Sequence, residues 1–410
     1  MGDMKRSLIA MGLVVGIASA PGVRAASITD WPLPPQASAA QPDVSLAPDG
    51  DLLLSWVEKR GDGHRLRFAR HRGDDPASGW SPPRTVASGD DWFVNWADFP
   101  ALQALPDGSL WAHALVRNGE ATYAYDTRLF VSRDGGEHFE ALGAVHDDGT
   151  PTEHGFATLW PQAAGTLGIA WLDGRRTGSG HHDDADAAGA MTLRVATFGA
   201  DGRKRGEREL DARTCDCCQT ASARDGDATL VAWRDRSDAE VRDILVSRLH
   251  AGTWSTPVRV HADDWVFPAC PVNGPAIAAR EGRAWVAWYT APGGTPQVRV
   301  ATSADGGRRW APAHTLATGE TQHGRVDVAA DAAGVWVSWV EEAPAGQSLW
   351  LVRLAPDLAR EDFRLKVAAI RGRGRATGFP RMQIRDGAAW LAWTDVVDGV
   401  PQLRGAVVRP

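Results

Sequence analysis

The stretch Gly282-Arg283-Ala284-Trp285-Val286-Ala287-Trp288 decides the fold, because the chain contains seven copies of its pattern. Each copy is a glycine followed by a short apolar run that usually holds tryptophan, and the copies recur about every 56 residues. The runs are bounded by turn residues and lack polar alternation, which is typical of strands buried on both faces. The copies begin at Gly50, Gly108, Gly165, Gly226, Gly282, Gly334 and Gly387.

Each copy lies inside a unit of four short predicted strands. One strand precedes the glycine, the tryptophan run is the second, and two more follow after loops. Four antiparallel strands repeated at this period predict an all-β fold, a β-propeller of seven blades, with six blades as the alternative. The last unit lacks a fourth strand, and we expect residues 28–32 to supply it and close the ring. The predicted blades are residues 43–95, 96–150, 151–211, 212–265, 266–320, 321–374 and 375–410.

Two turns between predicted third and fourth strands share the motif S-x-D-x-G-x-x-[FW], at residues 132–139 and 303–310. The motif describes a self-contained turn, in which the aspartate accepts backbone N–H bonds and a glycine takes a positive φ. It resembles the Asp box of the sialidase-like, or BNR-repeat, propellers. The resemblance implies a propeller fold and leaves the function open, since one fold serves many activities.

The amino terminus predicts export. Lys5 and Arg6 precede an apolar run at residues 8–20, as in a secretory signal peptide, so we expect residues 1–25 to be a leader and residues 26–410 a single propeller domain. No other apolar run approaches the roughly 20 residues that span a membrane. The formal net charge of −7, without basic runs, argues against nucleic acid as a partner. The sequence therefore predicts a periplasmic or secreted protein.

The four cysteines predict a local site, because they are too few for a disulfide framework. Three lie in Cys215-Asp216-Cys217-Cys218, and the fourth follows one repeat later. Thiolates select soft metal ions, so the cluster predicts a metal site that binds copper, or zinc as the alternative. Its candidate ligands are Cys215, Cys217, Cys218 and Cys270.

Two histidines share the register of these cysteines within the repeat. His154, Cys215 and His323 each lie eleven residues before a repeat glycine, and Cys270 lies twelve before one. Equivalent positions share one face of a propeller, so His154 and His323 are additional candidate ligands. The loop His181-His182-Asp183-Asp184 is expected on the same face.

The sequence leaves three functions open. The first is metal handling or redox chemistry at the cysteines, including a metal-dependent oxidoreductase. The second is a glycoside hydrolase of sialidase type, which the Asp-box resemblance implies and which needs acidic groups flanking the bond. The third is a scaffold for a periplasmic protein partner, with a disulfide from Cys215 or Cys218 to Cys270.

The candidate acid/base residues of the glycosidase hypothesis are acidic side chains that break the repeat. They are Asp98, Glu153 and Asp216, and Arg234 is a candidate for binding a substrate carboxylate. Carboxylates that recur two residues after the blade tryptophan, such as Glu58, are instead expected to serve the repeat itself. The predicted ligand is therefore a metal ion or a small extracellular molecule.

Overall fold

The computed structural model describes residues 26–162, 165–178 and 189–410. The predicted leader and the loop His181-His182-Asp183-Asp184 lie outside these residues. The described residues form 29 strands and two short 3-10 helices, Pro292–Gly294 and Gly374–Thr377. None of their helices has the length and apolar character that crossing a membrane requires.

The strands pair into six sheets, and the bounds of the strands follow the chain. The first strand of the described residues is β1 (Ser27–Asp30). The first complete sheet contains β2 (Ala39–Leu46), β3 (Leu52–Arg60), β4 (Gly63–His71) and β5 (Arg84–Gly89). An eight-stranded sheet contains β6 (Leu102–Ala104), β7 (Leu110–Arg117), β8 (Tyr125–Ser132), β9 (Glu140–Ala144), β10 (Glu153–Pro161), β11 (Leu167–Asp173), β12 (Thr192–Phe198) and β13 (Lys204–Asp211).

The remaining sheets have four or five strands. The five-stranded sheet contains β14 (Ala221–Asp225), β15 (Ala228–Arg234), β16 (Ile244–His250), β17 (Thr253–Trp254) and β18 (Val258–Arg259). The next contains β19 (Ala276–Arg280), β20 (Arg283–Thr290), β21 (Gln297–Ser303) and β22 (His314–Thr318). It is followed by β23 (Gln322–Ala330), β24 (Val335–Ala343), β25 (Gly346–Leu354) and β26 (Glu361–Ile370). The last contains β27 (Arg381–Arg385), β28 (Ala388–Val397), β29 (Val400–Arg409) and β1.

The all-β propeller is confirmed, but the predicted count of seven four-stranded blades, or alternatively six, is wrong. Among the described residues, five sheets are separate blades of four or five strands, and the strands between residues 102 and 211 form one continuous sheet. The junction is a parallel pairing of Glu153 with Tyr125 and of His154 with Asp126. Polar contacts hold the start of β10 against β8, among them the hydrogen bond from Thr127 Oγ1 to the His154 carbonyl at 2.8 Å. The spacing of apolar residues in a repeat does not predict such polar contacts.

The predicted closure of the ring is confirmed. Strand β1 pairs antiparallel with β29, with Ser27 opposite Arg409, so the first strand that the structure describes completes the last sheet. Trp31 follows this strand and packs with Trp56 and Trp390 in a buried cluster between the last sheet and the first complete one. Each fully buried large side chain contributes about 1.5–3 kcal/mol.

Trp56 and the two Asp-box turns make the contacts that the repeat predicts. The indole N–H of Trp56 donates to Glu58 at 2.8 Å, so that carboxylate serves the repeat. Asp134 Oδ1 accepts two backbone N–H bonds at 3.0 Å, and Asp305 Oδ1 accepts two at 3.1 and 2.9 Å. These contacts establish the turns, while membership of the Asp-box family stays a prediction.

Candidate active site and thiol cluster

A cavity of about 180 Å³ lies where the innermost strands of the sheets converge. Residues of β2, β6, β10, β14, β19, β23 and β27 line it, as expected for the channel of a propeller. Asp98, in the segment before β6, is one of its lining residues. The cavity therefore places a repeat-breaking carboxyl group where the strands of all six sheets meet.

Asp98, Tyr125 and Glu153 form a buried polar cluster beside this cavity. Tyr125 begins β8 and Glu153 begins β10, and their parallel pairing sets the two side by side. The Tyr125 hydroxyl oxygen is 2.7 Å from Asp98 Oδ2 and 2.7 Å from Glu153 Oε1. The three residues are only 2%, 0% and 6% exposed, respectively. Two of the sequence-predicted acid/base candidates are thus brought together, with a tyrosine between them.

The cluster must hold a proton in addition to that of the tyrosine. A phenol carries one hydroxyl proton and can donate to only one carboxylate at a time, so the second short contact needs a protonated carboxyl group. Burial raises the pKa of Asp98 to about 7. Asp98 can therefore donate to the Tyr125 oxygen near neutral pH, and Tyr125 can donate to Glu153. Burial and the two acidic neighbours raise the pKa of Tyr125 well above its ordinary value, which keeps the phenol protonated.

The surroundings fix the cluster in place. The Phe93 ring stacks on Tyr125 with centroids 4.0 Å apart, and the Phe156 backbone N–H donates to Asp98 Oδ2 at 2.9 Å. Gly155 lies so close that an added Cβ would be 2.1 Å from Asp98 Oδ2 and 2.5 Å from the Tyr125 hydroxyl. Close approach, rather than a special φ, is therefore what requires glycine at this position.

The rim beside Asp98 combines aromatic rings with cations. Trp96 stacks with Phe379 at 5.9 Å, and the guanidinium groups of Arg325 and Arg375 lie 5.1 and 5.9 Å from the Trp96 ring. Arg325 is buried and donates to Thr377 Oγ1 at 2.6 Å, whereas Arg375 is exposed. The rim thus offers an apolar surface and hydrogen-bond donors to a ligand.

The predicted cysteine cluster is present as free thiols. Three sulfur atoms lie within 4.8 Å of one another, those of Cys215, Cys217 and Cys218. The Cys217 thiol also contacts that of Cys270. Cys215 and Cys218 are buried, whereas Cys270 is exposed. The four candidate thiols therefore converge, and none forms a disulfide in this structure.

One thiol of the cluster, that of Cys218, has a lowered pKa. Burial raises the pKa of Cys215 to about 12 and also raises that of Cys217. Burial acts on Cys218 too, but hydrogen bonds from Cys215 and Cys217 and the positive charge of Arg234 hold the pKa of Cys218 well below its ordinary value. The thiolate form is the one that binds metal ions.

Arg234 and Asp216 are built into the surroundings of the thiols. Arg234 is 1% exposed and donates to the backbone carbonyls of Asn273, Arg242 and Tyr289 at 2.9, 2.6 and 2.6 Å. Its donors are thus used within the fold. Asp216 Oδ2 pairs with Arg236 at 2.7 Å.

The two histidines lie in equivalent strands but in different surroundings. His154 belongs to a group with His146 and acidic residues. The His323 side chain is 37% exposed, and its Nε2 is 4.0 Å from Glu342. Ligation of a metal by either histidine stays a prediction.

Sequence reasoning did not single out Tyr125, His146 or Asp148. Tyr125 is one of only three tyrosines, and it lies 28 residues before Glu153. These two facts were the sequence clues that could have identified it. Parallel pairing between the two strands sets this contact, and such pairing leaves no trace in a period of hydrophobic runs.

A scan against protein-family models found no match, and a search of curated proteins found none. Solved structures with a similar fold include the polysaccharide lyase Uly1, with 10% identity, a TM-score of 0.56, and coverage of 92% of this chain and 90% of that chain. The phage phi92 endosialidase has 12% identity, a TM-score of 0.53, and coverage of 94% and 69%. A Fusarium graminearum α-L-arabinofuranosidase has 14% identity, a TM-score of 0.48, and coverage of 91% and 93%. At these identities the similarity establishes the propeller fold alone.

Proposed function

We propose that the protein cleaves glycosidic bonds, with Asp98 and Glu153 as the catalytic pair and Tyr125 as the positioning residue. The observation that carries the proposal is the hydroxyl of Tyr125 bridging the two carboxyl groups. Its two contacts mean that Asp98 Oδ2 and Glu153 Oε1 are no farther apart than twice 2.7 Å. Retaining glycosidases hold their two carboxyl groups about 5–5.5 Å apart. Two of the solved structures of similar fold, a polysaccharide lyase and an endosialidase, belong to the same broad chemistry.

The two carboxyl groups suit different roles. Asp98, with a pKa of about 7, can give its proton to the glycosidic oxygen as the bond to the anomeric carbon breaks. The Glu153 carboxylate then forms an ester bond to that carbon. In the second step water attacks the anomeric carbon, Asp98 takes the proton of the water, and the ester bond to Glu153 breaks. The hydrogen bond that the Tyr125 hydroxyl donates to Glu153 holds this carboxylate in place.

The size of the cavity limits what can enter it. Ligand sites usually measure about 300–1,000 Å³, and the cavity here has about 180 Å³. We infer that one sugar unit approaches Asp98 and that the rest of the substrate lies over the rim. The partly exposed Trp96 and the exposed Arg375 offer a ring surface and hydrogen-bond donors there.

The test is hydrolysis of a panel of chromogenic glycosides and acidic polysaccharides by the purified protein. Proton transfer by a positioned acid contributes about 10²–10⁴-fold to the rate, so Asp98→Asn should lose most of the activity. Glu153→Gln removes the group that forms the ester bond and should also abolish most of it. Asp62→Asn, an exposed carboxylate in the turn between β3 and β4, is the matched control and should keep it. Activity that survives both cluster variants would overturn the assignment.

A second function is favoured by the convergence of the thiols, namely the binding of a soft metal ion at Cys215, Cys217, Cys218 and Cys270. We propose copper, with zinc as the alternative, because thiolates select these ions. Elemental analysis of protein purified without added metal, with a free-thiol count on the denatured sample, tests it. Stoichiometric metal with four recovered thiols is the expected result, and oxidised thiols without metal would contradict it.

A further inference from the structure

A second group of ligating side chains lies at the junction within the eight-stranded sheet. His146 and His154 stack with ring centroids 3.5 Å apart and an interplanar angle of 6°. Asp126, Asp148 and Asp173 surround them, and the five side chains are at most 10% exposed. The sequence hypothesis joined His154 to the cysteines, whereas its nearest polar partners lie in this group.

A neutral His154 cannot donate a hydrogen bond from both of its ring nitrogens. Its Nδ1 is 3.1 Å from the Thr152 carbonyl oxygen, and its Nε2 is 3.1 Å from Asp148 Oδ2. Both neighbours only accept hydrogen bonds, and a neutral imidazole has one N–H. If His154 donates to Thr152, the lone pair of Nε2 faces a carboxylate oxygen without a proton between them.

His146 lies between two carboxylates. Its Nε2 is 2.9 Å from Asp126 Oδ1, and its Nδ1 is 2.9 Å from Asp148 Oδ2. Both stacked rings therefore reach the carboxylate of Asp148.

One ring nitrogen of the group lacks a directed partner. His146 Nδ1 is buried, yet despite its short distance to Asp148 it makes no hydrogen bond of acceptable geometry among the described residues. His154 Nε2 faces the same carboxylate and is hydrogen-bonded to it. Nearly all buried polar side-chain atoms have a partner, so the unsatisfied nitrogen beside this shared carboxylate points to a cation as the ligand of the group.

We propose that a divalent cation that prefers nitrogen and oxygen ligands, zinc or manganese, binds at His154 Nε2, Asp148 Oδ2 and a carboxylate oxygen of Asp173. These three residues offer atoms within 4.8 Å of one another, with Asp173 Oδ2 3.9 Å from His154 Nε2. Zinc bonds of about 2.0–2.2 Å in tetrahedral geometry separate ligand atoms by roughly 3.3–3.6 Å. The observed spacings of 3.1 and 3.9 Å bracket that value.

Neighbouring groups orient the proposed ligands. Asp173 accepts from Trp171 Nε1 at 2.8 Å and from Arg175 Nε at 2.6 Å, and Asp148 accepts from the Thr150 backbone N–H at 2.8 Å. Such contacts hold ligating carboxylates in position. Arg175 Nε is also 3.3 Å from Asp148 Oδ2, and Arg175 Nη2 donates to Asp173 Oδ2 at 2.8 Å, so the cation has to take over both contacts.

The donor set separates this site from the thiol cluster. Imidazole and carboxylate ligands suit zinc and manganese, whereas thiolates suit copper(I) and zinc. The site lies one residue from Glu153 along β10, and His154 pairs with Asp173 at the end of β11, so a bound ion would hold the start of β10 against β11. This inference does not depend on glycoside cleavage.

Manganese is the sharper probe, because it favours carboxylate oxygen over thiolate. Full-length protein, freed of metal with a chelator, is titrated with Mn²⁺ and the free ion is followed by electron paramagnetic resonance. We expect one bound Mn²⁺ per chain, displaced by added Zn²⁺. Asp148→Asn should weaken Mn²⁺ binding at least tenfold, and Asp173→Asn should do so as a second variant.

The controls make the result specific to this group. His323→Ala removes a partly exposed histidine elsewhere in the ring, and Cys217→Ser removes a thiol of the other cluster. Both should keep Mn²⁺ binding, and all variants should show the circular dichroism of the parent protein. No bound Mn²⁺ in the parent protein, or equal binding in a folded Asp148→Asn variant, would overturn the proposal.

Discussion

Replacing Asp98 by asparagine is expected to stabilise the protein while removing its activity. Asparagine has the size of aspartate, and its amide oxygen can still accept from the Phe156 N–H. It cannot ionise or transfer a proton. The substitution therefore separates the cost of burying a carboxylate from the packing of the cluster.

The magnitude follows from the two pKa values of Asp98. The ordinary value is 3.8 and the folded value is about 7, because burial disfavours the charged form. Between these pH values the folded protein binds more protons than the unfolded chain, so its free energy of unfolding falls as pH rises. At about 1.4 kcal/mol for each pKa unit, the full effect is about 4 kcal/mol, complete above pH 7. The Asp98→Asn variant lacks this loss of stability at every pH.

Urea unfolding followed by tryptophan fluorescence measures the difference, at about pH 4 and about pH 8. The Asp98→Asn protein should gain up to about 4 kcal/mol over the parent between these two conditions. The same substitution should reduce glycoside cleavage by at least 10²-fold. A stability difference that does not change with pH would refute the raised pKa, and with it the role of Asp98 as the proton donor.

Three further substitutions test other parts of the account. Tyr125→Phe should lower kcat/KM about 10²-fold, because the Tyr125 hydroxyl joins the two carboxyl groups; parental activity in a folded Tyr125→Phe protein would contradict the bridge. Asp305→Ala removes the acceptor of two backbone N–H bonds in a turn and should cost about 1–3 kcal/mol in urea unfolding, with activity unchanged. Cys217→Ser should abolish metal retention in elemental analysis without lowering the melting temperature of metal-free protein, and full retention would exclude Cys217 as a ligand.

The fold was largely predictable because the repeat is a hydrophobic pattern. Buried strands require apolar runs, and the glycines mark turns such as that of Gly282, with a φ of 78° between β19 and β20. The closure by β1 could be predicted because the last unit lacked a strand. The number of separate blades could not, because Tyr125, Asp126, Glu153 and His154 join two units through backbone pairing that apolar periodicity does not encode.

The candidate site was predictable only in part, for a similar reason. Asp98 and Glu153 stood out because they interrupt the repeat, and the cysteines because thiols are rare in this chain. Which groups share a proton depends on distances across neighbouring strands. Nothing in the spacing of His154 within the repeat predicted that it would face Asp148.

The configuration of the first product tests the central claim most directly. The parent protein is incubated with each active member of the glycoside panel, and the anomeric protons are followed by nuclear magnetic resonance before mutarotation. The account predicts a sugar with the anomeric configuration of the substrate, and no product from Glu153→Gln. An inverted sugar, an unsaturated product, or no product from any member of the panel would contradict it.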